Sequence, residues 1–321
     1  MKYLLLREAG GLGDVVRMFS VARGLHSIDT EVHLATLGEY LSIVDQCPYV
    51  DKFIPLMHRG DRRNRRTPWT DSKVTYLNHI REMDYDRVID LFCPGWRYET
   101  NVKGDLEHDR IDCFCMEAGV EPVAPVLEPP PDVDCSRAKE WLKIKSLTER
   151  TVCISRKSTD VTRTLPIETA YYLADILKAD GYSPFFLDND LRPYSRKDYF
   201  PVYRAKDFKA LLAMVSVVPH FITVDNGILH LAAAYQKPTV AIFSASSRIV
   251  TKHYETCMPF VATGYDTGGF YTRCKQPCDY RLHRGFNRDT CRSEGCYWMN
   301  RVSPEKVVEL FKTVVREFAS C

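Results

Sequence analysis

Five prolines crowd the fourteen residues of Glu121–Asp134, EPVAPVLEPPPDVD. Proline fixes φ and lacks an amide donor, so this stretch reads as a connector, neither helix nor central strand. On both sides of it, short apolar runs alternate with helical periodicity. Before it, the strand-like runs are Tyr3–Leu6, Glu31–Ala35, Lys52–Leu56 and Arg87–Phe92, and Val15, Met18, Phe19, Ala22 and Leu25 mark one apolar helix face. After it come Thr151–Ser155, a helix from about Pro166, Ser183–Leu187, a helix around Lys206–Ser216, His220–Val224, a helix from Gly227, Thr239–Phe243 and a terminal amphipathic helix over Lys306–Phe318. Such alternation predicts two α/β units, each with a parallel sheet covered on both faces. In open sheets of this kind ligands sit beyond the carboxyl ends of the strands, so the loops after strands carry the chemistry.

The 321 residues suffice for two such units. Hydrophobic content of 45%, charged content of 27% and a formal charge of +2 give no global pull toward nucleic acid or membrane. The apolar run at the N-terminus stops at Arg7 and Glu8, and nowhere do about 18 uninterrupted apolar residues occur. A cytoplasmic protein is the expectation, and there twelve cysteines point away from structural disulfides.

Two loops stand out. In GGLGDVV, Gly10, Gly11 and Gly13 let a loop after the first strand carry Asp14 toward the cleft, either as a reactive carboxylate or as a helix N-cap. In FITVDNGILHLAAAYQKPTVAIF, Asp225, Asn226 and Gly227 turn a buried strand into a small-residue helix whose free N–H groups suit an anion. Gly227 would let a phosphate approach closely, and His230 lies in the first turn. The plainer alternative makes Asp225 or Asn226 an N-cap and His230 a satisfied surface histidine.

The segment VDNGILHLAAAYQKPTVAIF resembles the nucleotide-sugar signature of glycosyltransferase family 9, the ADP-heptose glycosyltransferases. GGLGDVVRMFSVARGL and RTLPIETAYYLADIL (Arg163 to Leu177) resemble that family's N-terminal loop and its basic–x–Trp–Pro segment. Asn226 stands at the family's usual Thr, Leu165 at its Trp, and Phe243–Ser247 at its Phe-Gly-Pro-Thr turn; these departures surround the donor.

The resemblance implies a GT-B architecture, two Rossmann-like domains facing a central cleft. Residues 1–148 would bind the acceptor, and 149–321 the nucleotide sugar. Asp14 then matches the catalytic base, a role that a carboxylate on a glycine loop suits. Arg163 matches a phosphate-binding lysine and Asp225 a sugar-contacting position. The backbone N–H groups of Asn226 and Gly227, with His230, would complete the donor site. Arg156 and Lys157 either assist there or form a solvated pair. The implied reaction is an inverting transfer of heptose, or a related sugar, from an ADP-sugar to an acceptor hydroxyl. No catalytic metal is required, and Asp188-Asn189-Asp190 is explained as well by a loop.

Cys274, Cys278, Cys291 and Cys296 fall within 23 residues. Two pairs with a loop between them have the shape of a tetrathiolate knuckle for structural iron or zinc. The cluster resembles the iron-binding cysteine finger of the family's autotransporter heptosyltransferases, with Cys257 or His283 as substitutes for the fourth ligand. HRGDRRNRRTPW, His58 to Trp69, holds five arginines. It is either a solvated loop or, with Gly11, Arg62, Arg63, Arg65 and Arg97, a surface for an acidic acceptor, while Trp69 and Trp96 either stack on ligand or pack. The acceptor is open among a protein Ser/Thr hydroxyl, lipopolysaccharide core and a hydroxymethylated DNA base, and a homo-oligomer is compatible with all three. A non-catalytic module binding nucleotide sugars or nucleic acid is the reading from another class. The absence of a Gly-x-Gly-x-x-Gly argues against a dinucleotide-dependent oxidoreductase.

Overall fold

The computed structural model describes residues 1–7, 10–56, 84–91, 108–147, 149–159, 163–189, 200–244, 248–262 and 299–318. The first unit begins with β1 (Lys2–Leu6), α1 (Leu12–Leu25) and β2 (Glu31–Leu37). It continues through α2 (Leu41–Val44), β3 (Lys52–Leu56), β4 (Arg87–Asp90) and α3 (Arg110–Ala118). Its strands form a parallel sheet in the order β3-β2-β1-β4. Leu4, Leu5 and Leu6 in succession are fully buried, as a central strand covered on both faces requires.

The second unit follows α4 (Asp132–Ile144) and runs β5 (Thr151–Ser155), α5 (Ile167–Ala179), β6 (Ser183–Leu187), β7 (Val202–Tyr203) and α6 (Phe208–Val217). Then come β8 (His220–Val224), α7 (Gly227–Ala234), β9 (Thr239–Phe243), β10 (Cys257–Val261) and α8 (Pro304–Phe318). The parallel sheet has the order β10-β9-β8-β5-β6-β7. Helix α8 buries Val307, Val308, Phe311 and Val314 and packs on α5 and β9.

The connector differs from the expectation at its end. Asp132, Val133 and Asp134 are the first turn of α4, with Pro131 as N-cap and Asp132 and Asp134 facing the positive end of the helix dipole. Upstream, the Leu127 N–H bonds to Ala234 O at 3.1 Å and the Glu128 N–H to Gln46 O at 2.8 Å, stitching the connector to both units. Helix α4 then packs against α6.

Both sheets reverse direction of growth at one place. β1 pairs with β2 on one side and β4 on the other, and β5 is flanked by β6 and β8. Crevices open at such switch points, outside the strand carboxyl ends. The loops there are those after β1, β5 and β8, which hold Asp14, Arg156–Lys157 and Asp225–Gly227. Helix α1 of the first unit packs directly on α7 of the second.

Candidate active site

Gly11, not Asp14, is the N-cap of α1. Asp14 is the third helical residue, and its Oδ2 reaches back to the Gly11 N–H at 3.2 Å in a capping box. The same carboxylate meets Arg7 Nη2 at 3.1 Å and Arg110 Nη1 at 2.6 Å, with Arg17 Nη1 at 3.9 Å. Burial alone would raise its pKa, but the charges of Arg110, Arg7 and Arg17 prevail and hold it well below the usual carboxylate range. Capping and ion pairing therefore coexist, because each carboxylate oxygen accepts more than one bond.

The three glycines play different parts. Gly10 has φ +148°, and a Cβ there would lie 2.7 Å from Arg7 Nε and 2.8 Å from Asp14 Oδ2. Gly13 lies against His230. Gly11 has ordinary extended backbone, and the space where a Cβ would stand is open. Of the residues expected to bind the acceptor, Gly11 is exposed beside Asp14; Arg62, Arg63, Arg65 and Arg97 lie outside the described residues, as do Trp69 and Trp96.

On the second unit Asn226 is the N-cap of α7. Its Oδ1 accepts from the N–H groups of Ile228 and Leu229 at 2.9 and 3.1 Å and from Thr223 Oγ1 at 3.0 Å. Its Nδ2 donates to Ser155 Oγ at 3.0 Å and Lys157 O at 2.9 Å. A threonine at this place has no amide to make the last two bonds, so the asparagine ties the β5 loop to the start of α7. Arg163 Nη1 pairs with buried Asp225 Oδ2 at 2.9 Å, and Ser158 Oγ donates to Asp225 O at 3.1 Å. Arg156 is half-buried with its Nε 3.2 Å from Asp188 Oδ2, whereas Lys157 is exposed. The Cβ side of Gly227 is occupied by Leu12 of the first unit: an added methyl would come within 2.7 Å of Leu12 Cδ2. That glycine is thus a seam residue between the units.

His230 is not a surface histidine. It is 4% exposed, with Nδ1 2.5 Å from the hydroxyl of Tyr254. Burial, helped by the nearby charge of Arg17, lowers its pKa to about 3, so the ring is neutral. The charges of Asp225, Asp14 and Arg110 also reach it, which puts both loops around one imidazole.

A polar network missing from the sequence reading closes this seam. Arg17 is buried, and its charge acts on Tyr254. Asp109 caps α3, and burial raises its pKa to about 6 despite the charge of Arg17. Asp112 of α3 takes Lys252 Nζ at 2.8 Å and His253 Nε2 at 2.6 Å from the second unit. Arg7, directly after β1, and Arg110, opening α3, gave the only local signal: cations at the carboxyl end of a strand and at a helix start.

Cys274, Cys278, Cys291, Cys296 and His283 lie outside the described residues. Among the described residues no group of three or more His, Cys, Asp or Glu side chains is placed to hold a metal. Cys257 opens β10 and is buried, which raises its thiol pKa. No helix among the described residues is long and apolar enough to cross a membrane.

A search of curated proteins finds no match to this sequence. Among solved structures, a family 9 glycosyl transferase from Veillonella parvula superposes with a TM-score of 0.71 at 14% identity, over 98% of this chain and 97% of that one. ADP-heptose LPS heptosyltransferase II of E. coli gives 0.65 at 15% identity, over 99% of each chain. The dodecameric iron-containing heptosyltransferase TibC, from enterotoxigenic E. coli, in complex with ADP-D-beta-D-heptose, gives 0.62 at 15% identity, over 98% of this chain and 76% of that one. At these identities the likeness is one of fold, an α/β fold with parallel sheets that matches GT-B-like heptosyltransferases. A sequence profile described as glycosyltransferase family 9 (heptosyltransferase) matches residues 198–265, the span that includes α6, β8, the Asp225–Gly227 turn, α7 and β9. The full-length likeness to heptosyltransferases is thus one of fold, and the sequence likeness to the family lies in this span.

Proposed function

We propose that the protein is an inverting glycosyltransferase that moves heptose, or a related sugar, from an ADP-sugar to an acceptor hydroxyl. The observation that carries this reading is the convergence of two loops on His230: the Gly–Asp loop after β1 and the Asp225-Asn226-Gly227 helix start after β8. In the first, Asp14 is the base. The acceptor oxygen attacks the anomeric carbon and forms the new C–O bond as the anomeric C–O bond to phosphate breaks. The electron pair leaves with ADP, and the hydroxyl proton passes to Asp14. A strongly depressed carboxylate pKa is compatible with that task. The acceptor oxygen becomes very acidic as its new bond forms, so the base must be ionised and near rather than strong.

In the second unit, the backbone N–H groups of Asn226 and Gly227, with Arg163 and Lys157, would receive the diphosphate charge that develops on the leaving group. Arg163 would then exchange part of its pairing with Asp225 for phosphate. Residues 1–148 would thus serve the acceptor and 149–321 the donor. The arginines at 62, 63, 65 and 97 would take an acidic acceptor. A protein Ser/Thr hydroxyl is the acceptor that the cysteine spacing favours, through its likeness to autotransporter heptosyltransferases.

Cys274, Cys278, Cys291 and Cys296 are proposed to hold structural iron or zinc. The support is their spacing and the iron-containing character of TibC. Metal analysis of the purified protein should return one equivalent, lost when Cys274 and Cys278 are changed to Ser. The donor assignment is tested by calorimetric titration with ADP, GDP, UDP and ADP-heptose. Selective binding of ADP and ADP-heptose is expected; preference for UDP or GDP would overturn the heptose donor.

A further inference from the structure

We propose that Arg110 is a positioning residue: from the start of α3 it fixes the rotamer of Asp14 and sets Oδ1 as the oxygen that takes the acceptor proton. The role rests on the glycosyl-transfer reading above. It follows from how the two carboxylate oxygens are shared out. Oδ2 is turned into its own loop. It accepts from the Gly11 N–H at 3.2 Å, meets Arg7 Nη2 at 3.1 Å and faces Gly10, where a Cβ would stand 2.8 Å away. Oδ1 is turned to α3, with Arg110 Nη1 at 2.6 Å. Arg17 Nη1, at 3.9 Å from Oδ1, is beyond hydrogen-bond reach. Arg110 is therefore the one hydrogen-bond partner of Oδ1 among the described residues.

Exposure separates the three arginines. The side chains of Arg7 and Arg17 are 8% and 9% exposed, whereas that of Arg110 is 29% exposed and that of Asp14 itself 13%. An approaching hydroxyl thus meets the carboxylate beside Arg110 rather than beside the two buried arginines. A carboxylate oxygen accepts more than one bond, so Oδ1 can keep Arg110 and still receive a hydroxyl. Oδ2 already has two partners.

The backbone that carries Arg110 is itself held. Asp109, the N-cap of α3, accepts from the Ile111 N–H, and Asp112 Oδ2 returns to the Asp109 N–H at 3.0 Å. Asp112 is also tied to Lys252 and His253 of the second unit, and α3 packs on α1, the helix that carries Asp14. The guanidinium is presented from a fixed helix start, and its bond to the carboxylate is directional. Without it, Arg7 still holds Oδ2, but Oδ1 loses its hydrogen bond and the carboxylate can turn. Charge acts in the same place. Burial pushes the Asp14 pKa up, and of the charges that more than offset this the strongest is that of Arg110.

Carbon-13 titration of the side-chain carboxyls tests the pairing without turnover, with the Asp14 signal identified by its loss in Asp14→Asn. In the wild type this signal should stay that of a carboxylate down to about pH 3, below the ordinary midpoint of about 3.9. In Arg110→Met and Arg110→Gln the midpoint should rise by about one to three units, into the range above about pH 3. A wild-type midpoint near about 3.9, or a carboxylate that stays ionised to about pH 3 in both variants, overturns the proposal. The wild-type titration decides even where a variant fails to fold. In Arg110→Gln, kcat should fall about tenfold and its acid limb should move up in pH, while the KM for the sugar nucleotide changes less than about twofold. Unchanged kcat and acid limb in the folded variant overturn the positioning role. A raised Asp14 midpoint in the variants of a protein that transfers no sugar would support the pairing and overturn the glycosyl-transfer reading, so the two fail separately.

Discussion

His230 lies so close to Gly13 that a Cβ on that glycine would come within 2.2 Å of the imidazole Cδ2. The contact has a counterpart in Gly227, whose Cβ side is filled by Leu12. Each unit thus offers a glycine at a helix start to a side chain of the other. The close approach of α1 and α7 brings the Asp14 carboxylate and the N-terminus of α7 to one seam. The ring cannot simply turn aside, because Tyr254 holds its Nδ1.

Gly13→Ala is therefore expected to strain the seam. Overpacking of this kind costs about 1–3 kcal/mol, and turnover should fall by more than tenfold if the loops must stay in register, on the order of what small misplacements cost. Gly11→Ala is the control, since its Cβ would meet open space. It should melt within about 0.5 kcal/mol of the wild type and raise the acceptor KM while leaving nucleotide affinity unchanged. Equal stability and activity in Gly13→Ala would show that the units do not depend on this contact.

Asp14→Asn separates the base from the scaffold. Asparagine keeps an acceptor for the Gly11 N–H but removes the negative charge that Asp14 sets against Arg7 and Arg110. A loss of about 3 kcal/mol is expected, because removing one partner of a buried pair strands the other. ADP affinity in calorimetry should survive while sugar transfer disappears. Full transfer by the folded variant would remove Asp14 from the chemistry.

Much of the scaffold was legible because parallel strands covered on both faces are continuous apolar runs. Lys52–Leu56, Thr151–Ser155, Ser183–Leu187, His220–Val224 and Thr239–Phe243 have the bounds that the sequence predicts. Helix α4 was hidden because Pro131 was read as a breaker, although proline next to a run with early acidic residues also starts helices. Helix α3 and strand β10 were not foreseen. The Asp14 loop and the Asn226 cap are local patterns and could be read, but their partners could not. Arg110 meets Asp14 from 96 residues away, and Tyr254, which engages both Arg17 and His230, carries no local mark of that role.

Asn226 tests the donor side. Asn226→Thr preserves an oxygen for the N–H groups of α7 but loses the donations to Ser155 Oγ and Lys157 O. Two lost hydrogen bonds should cost about 1–3 kcal/mol, and nucleotide affinity should fall because Lys157 and the start of α7 are no longer tied together. Asn226→Ala also loses the cap, worth about 1 kcal/mol more. Differential scanning calorimetry with and without ADP measures both effects. A threonine variant as stable and as tight-binding as the wild type would mean that the tie is not needed.

The Asp112 contacts give the seam a defined pH dependence. Burial would raise the pKa of this carboxylate, but the hydrogen bonds from His253 and Lys252 lower it well below the ordinary range. A depressed folded-state pKa means that the stabilisation is fully present above the unfolded value of about 3.9 and is lost as pH falls through the folded value. Asp109 has the opposite sign: with its pKa raised to about 6, its burial costs stability above that pH, and the cost is relieved between about 6 and 3.9. Asp112→Asn should lower stability at pH 7 by about 1–2 kcal/mol, given that Lys252 is half exposed. The gap to the wild type should narrow steadily as pH drops below about 4. Urea unfolding at a series of pH values measures it. A gap that stayed constant down to low pH would mean that Asp112 does not hold Lys252 and His253 as an ionised carboxylate.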